Sequence, residues 1–200
     1  MLSFVNFQSQ QLKCRQILTR ISIMWLISIP CGILGVYSTF TTIFFSVFDI
    51  LFTMFSIWLI ILKKRGIYQN IFIGLYLLYI SIILVFASYK FLFIHGEGKI
   101  WVIFIQFFIL FANIVLFQFV VKRNIKNGTY SKENPENKNI FIISLGGAAL
   151  GTIFSRVFLR NTTQEVIELI LSGTFYLVAL FLSVGTVSLY KAYLQHKYKL

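Results

Sequence analysis

Six runs of about 20 predominantly apolar residues dominate this chain, at about residues 21–39, 43–62, 69–94, 100–121, 140–159 and 166–190. A helix rising about 1.5 Å per residue needs roughly that length to cross about 30 Å of hydrocarbon. The chain has 200 residues, of which 58% are hydrophobic and 12% charged, and its mean hydropathy is +0.83. A soluble domain of this size must face water over much of its surface and cannot hide that much apolar side chain. The expected fold is therefore all-α, a polytopic transmembrane helix bundle of six spans.

Positive charge sorts to one side of these runs. With the N-terminus inside, the inner face takes Lys13, Arg15, Arg20, Lys63, Lys64, Arg65, Lys122, Arg123, Lys126, Lys132, Lys138, Lys191, Lys197 and Lys199. The outer face takes Lys90, Lys99, Arg156 and Arg160. That asymmetry is the positive-inside pattern, and it predicts that both termini are cytoplasmic. It also gives the net charge of +12 a membrane explanation. No aromatic and basic soluble surface exists to carry nucleic acid, so none is expected as a partner.

The connections are short. Residues 1–20 form a cytoplasmic or interfacial N-terminal segment, residues 122–139 the one long cytoplasmic loop, and residues 191–200 a basic cytoplasmic tail. Pro30, with Gly32 and Gly35 nearby, should kink the first span. Gly147 and Gly151 form a small-xxx-small pair that lets another helix approach the fifth span closely. Trp25, Trp58 and Trp101 fall near span ends, as interfacial anchors do. Cys14 and Cys31 suggest no disulfide framework, and Pro30 in front of Cys31 argues against a lipoprotein cleavage site there.

Ionisable groups inside a bilayer each cost several kcal/mol unless paired or hydrated, so they are the first candidates for function. Asp49 is the clearest, with Phe48 and Ile50 on either side. Lys90, Arg156 and Glu168 are expected at a similar depth, in the outer third of the membrane. They could form an outward-facing polar cluster in which Asp49 pairs with Lys90 or Arg156. The plainer alternative has Lys90 and Arg156 snorkelling to headgroups while Glu168 sits favourably in the first turn of the last span. On the inner side, Lys63, Lys64, Arg65, Lys122 and Arg123 are candidates for coupling to a partner or for lipid contact.

No HExxH, GxSxG or phosphate-binding loop is present. No enzyme activity, metal or cofactor is expected. The layout resembles the small permease subunits of bacterial export systems, and also the small polytopic proteins that protect producers against their own bacteriocins. The first resemblance implies the membrane half of an ABC-type exporter, with a separate ATPase subunit or a homo-oligomer as partner. The second implies a binding protein without transport activity. A stand-alone proton-coupled carrier using Asp49 is a third possibility. Phe, Ile, Lys, Asn and Tyr total 84 residues against 26 for Gly, Ala, Arg and Pro. That bias suggests an AT-rich genome, and hence the cell membrane of a low-GC Gram-positive bacterium.

Overall fold

The structure, a computed structural model, describes residues 13–30, 39–61, 66–94, 100–127 and 163–198. Among these residues every regular element is helical. The helices are α1 (Cys14–Ser28), α2 (Thr39–Ile61), α3 (Ile67–Ile94), α4 (Ile100–Lys126), α5 (Gln164–Ser183) and α6 (Val187–Tyr198). One 3-10 turn, Val184–Thr186, joins α5 to α6, so the last two helices form a continuous rod. Four stretches are long and apolar enough to cross a membrane: Thr41–Ile61, Ile67–Leu92, Ile100–Lys126 and Val166–Tyr198. By length and composition, then, this is a membrane protein.

Local sequence explains three helix ends. Gly66 stands before α3 with φ of +70°, a left-handed conformation that costs glycine little and other residues more. Arg123 and Lys126 occupy the last turn of α4, where cations meet the unpaired helix carbonyls. At the end of α1, Pro30 lacks the N–H that would continue the ladder. The regular helix stops at Ser28, and Ile29 and Pro30 follow in a wider π turn.

Two apolar runs continue further as helix than their hydropathy suggests. α4 reaches Lys126, and α6 carries the last rod through the basic segment to Tyr198. Nothing between Val187 and Tyr198 breaks a helix, and packing rewards its continuation. Ala192, Leu194 and Gln195 are buried, Leu194 lying in one apolar cluster with Val121 of α4.

The helices run in alternating directions, with one exception. Ser28 meets Asp49 and Trp25 meets Thr53, so α1 and α2 are antiparallel. Phe45 packs on Phe86 and Trp58 on Tyr68, so α2 and α3 are antiparallel too. Ser88 meets Ser172 and Asn70 meets Gln195, which sets the α5–α6 rod antiparallel to α3. The exception is α4 and that rod: Gln106 meets Tyr176, Asn113 meets Ser183 and Lys122 meets Tyr190, so they run parallel.

α3 is the centre of the bundle. Its spanning window is 61% buried, against 11–22% for the other three spanning windows. The main apolar cluster gathers around Tyr76, Tyr79, Ile80, Ile83, Leu84 and Val85 of α3. In lipid, apolar side chains gain little by leaving one hydrocarbon for another, so close approach and interhelical hydrogen bonds must hold helices together. Close approach is visible where α3 meets the rod. Leu189 covers Gly74, and Leu77 covers Gly185 in the 3-10 turn.

Candidate functional site

Among the described residues the carboxyl of Asp49 is fully buried, the residue being 0% exposed. It occupies the middle of α2, eleventh of 23 residues. Ser28 of α1 donates its hydroxyl to Asp49 Oδ2 at 2.5 Å. The Tyr79 hydroxyl of α3 lies 2.9 Å from Asp49 Oδ1 and 3.2 Å from the Phe45 carbonyl. That hydroxyl has one proton to share between the two acceptors. One turn along α2, Thr53 donates to the Asp49 carbonyl at 2.7 Å and accepts the indole N–H of Trp25 at 3.1 Å. The Tyr79 ring stacks on both Phe48 and Phe52, with centroids 5.8 and 5.3 Å away, which fixes the phenol against the carboxyl.

Three helices thus converge on one carboxyl through two neutral hydroxyls. A group of this kind can pass a proton or bind a hydrogen-bond donor, and it can also serve as a polar lock between helices. The sequence singles out Asp49 but gives no sign of its partners. Ser28 and Tyr79 are ordinary members of apolar runs until the register between helices is known.

The expected pairing of Asp49 with Lys90 does not form. Lys90 stands eleven residues beyond Tyr79 on α3, about 16 Å along the axis. α2 begins at Thr39, four residues before the expected span, so Asp49 stands mid-helix. Lys90 and Glu168 do share an end of the bundle, the one where Ser88 of α3 meets Ser172 of α5. Both are half-buried there, and Glu168 accepts from Gln164 one turn earlier at 3.2 Å. Pro30 is exposed at the end of α1. Arg156, Gly147, Gly151, Lys63, Lys64 and Arg65 lie outside the described residues.

A second polar cluster joins α3, α4 and α5 at the Lys90 end. Ser172 Oγ lies 2.9 Å from the Ser88 carbonyl and 3.1 Å from Ser88 Oγ, and Gln106 Nε2 donates to Ser88 Oγ at 3.0 Å. One consistent assignment runs from the Gln106 amide through both hydroxyls to the carbonyl of Ser88. Gln106 Oε1 is left buried without a protein donor. Further along, Asn113 of α4 donates to Ser183 Oγ at 2.8 Å and to the Leu180 carbonyl at 3.0 Å. At the opposite end Asn70 of α3 donates to Gln195 of α6 at 2.9 Å.

That opposite end is strongly basic. Nine lysines and arginines fall among the described residues, and eight gather there: Lys13, Arg15, Arg20, Lys122, Arg123, Lys126, Lys191 and Lys197. Only Lys90 is elsewhere. Several lie over tyrosine rings, as Arg20 does over Tyr76 at 5.9 Å and Lys122 over Tyr190 at 5.6 Å.

Comparison with known proteins returns no match among family models, curated proteins or solved structures.

Proposed function

We propose that this chain is a six-span protein of a bacterial cell membrane, with both termini cytoplasmic, and that it is the permease-type subunit of an ABC-type export system. The observation that carries this reading is the basic end of the bundle. Eight cations from α1, α4 and α6 collect on one face, where positive-inside insertion would leave them in the cytoplasm and where an ATPase subunit would dock. The parallel run of α4 and the α5–α6 rod supports the six-span count. The chain leaves α4 at the basic end and enters α5 at the other, as a further span between them would require. The excess of Phe, Ile, Lys, Asn and Tyr over Gly, Ala, Arg and Pro supports a low-GC Gram-positive source.

The test is affinity purification from native membranes after mild crosslinking. A stoichiometric ATPase should co-purify, and Lys63→Gln, Lys64→Gln and Arg65→Gln together should reduce its recovery severalfold. Undiminished recovery from a correctly inserted triple variant would remove the basic turn from coupling. Absence of any ATPase would remove the export reading itself.

Asp49 favours a second reading, a proton-coupled carrier. A carboxyl at the middle of a spanning helix, held by two hydroxyls, has the position and chemistry for proton exchange. Liposomes containing the protein would then show a pH-driven flux that Asp49→Asn abolishes. A flux of the same size in that variant would exclude Asp49 as the exchanging group.

A further inference from the structure

At the basic end of the α4–α6 contact, two of those eight cations, Lys122 and Lys197, lie over tyrosine rings. Val121 and Ile125 of α4 pack on Val187, Tyr190 and Leu194 of α6, making an apolar floor. At the edge of this floor, Lys122 Nζ lies 5.6 Å from the centre of the Tyr190 ring. Tyr190 stacks on Tyr193 at 6.1 Å. Lys197 Nζ lies 5.9 Å from the Tyr193 ring and 5.6 Å from the Tyr198 ring. Lys122, Tyr193 and Lys197 are all exposed.

Helix length sets the depth of this cluster. The stretch Val166–Tyr198 has 33 residues, about 50 Å as helix, which exceeds a hydrocarbon core of about 30 Å by roughly four turns shared between its ends. The turns of α6 that carry Tyr193 and Lys197 therefore stand at headgroup level. Tyrosine prefers that depth because its ring is apolar and its hydroxyl is not. Among the described residues the acids are Asp49, at mid-bundle, and Glu165 and Glu168, at the opposite end. No described carboxylate stands at the basic end to neutralise these lysines.

We propose that Lys122, Tyr190, Tyr193 and Lys197 bind the phosphate-bearing headgroup of an anionic phospholipid, with its acyl chains against the apolar floor between α4 and α6. The lysines supply charge, the exposed Tyr193 hydroxyl can donate to phosphate oxygens, and the tyrosine rings lie beside the lysine ammonium groups. The inference rests on the position of the cluster at headgroup depth and is independent of the export reading.

The test is the shift in melting temperature of the detergent-purified protein on titration with phosphatidylglycerol, with phosphatidylcholine and inorganic phosphate as separate arms. Phosphatidylglycerol should raise it saturably, and the other two should not. Lys122→Gln and Lys197→Gln should each weaken the apparent lipid affinity about fivefold, the effect of one cation at an anionic surface. Both positions are exposed, so the variants should fold. Lys13→Gln, at the same end but outside the cluster, should retain wild-type affinity. The proposal is overturned by equal shifts with phosphatidylcholine, by a shift that inorganic phosphate reproduces, or by unchanged affinity in both lysine variants. It is also overturned if those variants lose a co-purifying protein while their lipid affinity stays the same.

Discussion

Leu77 of α3 covers Gly185 so closely that a Cβ at position 185 would stand 3.0 Å from Leu77 Cγ and 3.1 Å from Leu77 Cβ. The arrangement is reciprocal. Four residues along the rod Leu189 covers Gly74, where a Cβ would stand 2.5 Å from Leu189 Cγ. Each helix contributes one leucine and one glycine, and the backbones meet where hydrophobic burial alone would not bring them together.

Gly185→Ala should therefore destabilise the protein, although alanine is the better helix former. Propensity would favour the substitution by up to about 1 kcal/mol. Overpacking a closed contact costs about 1–3 kcal/mol, and it wins here because the obstructing atoms include Leu77 Cβ, which cannot swing away. Gly173 is the control. A Cβ at that position would meet nothing within 4 Å, so Gly173→Ala should leave stability unchanged or raise it. Thermal unfolding in detergent distinguishes them, and adding Leu77→Ala to Gly185→Ala should recover part of the loss.

The Asp49 contacts predict a graded series. Ser28→Ala and Tyr79→Phe each remove one donor from a buried carboxyl. Interhelical hydrogen bonds in membrane proteins average about 0.6 kcal/mol and reach about 1.7, and these belong at the upper end because the acceptor is enclosed. Asp49→Leu should cost more than Asp49→Asn, since the amide can still bond both hydroxyls. A double-mutant cycle on Ser28 and Tyr79 should show coupling, because both act on one carboxyl. Additive losses would mean that the two donors stabilise the bundle separately.

Gln106 and Ser88 should respond in opposite ways. Gln106→Met removes the buried Oε1 that lacks a donor and leaves the Ser88–Ser172 contact in place. Its effect should be neutral or stabilising. Ser88→Ala removes the acceptor of the Gln106 amide and leaves that amide buried, at a cost of about 1–3 kcal/mol. A large loss in Gln106→Met would show that Oε1 has a partner in the membrane.

The helical class and the four long apolar stretches were legible because hydropathy acts locally. Asp49 was legible for the same reason, since one carboxylate among Phe48, Ile50 and Leu51 stands out. Its partners were not. Ser28, Tyr79, Ser88, Gln106 and Ser172 are single polar residues in apolar runs, and which of them meet depends on helix register, which no local pattern encodes. The Asp49–Lys90 pairing fails on this point, because the register between α2 and α3 sets Asp49 against Tyr79, about 16 Å along α3 from Lys90. The reach of α6 was hidden differently. Lys191 and Lys197 read as a tail, whereas Leu194 and Gln195 between them find Val121 and Asn70 and keep the segment helical.

Orientation is open to a direct chemical test, because Cys14 is exposed at the N-terminal end of α1 among the basic residues. Thr163, exposed just before α5, stands at the opposite end of the bundle. With Cys31→Ser removing the other thiol, a membrane-impermeant maleimide applied to intact cells should leave Cys14 unlabelled, and should label Thr163→Cys. Permeabilised cells should label both. In the inverted orientation all eight cations at the Cys14 end would have to be translocated. Labelling of Cys14 in intact cells would invert the bundle and place its basic face outside. Labelling of both sites from the same side would contradict the antiparallel packing of α5 against α3, since that packing requires the start of α1 and the start of α5 to face opposite sides.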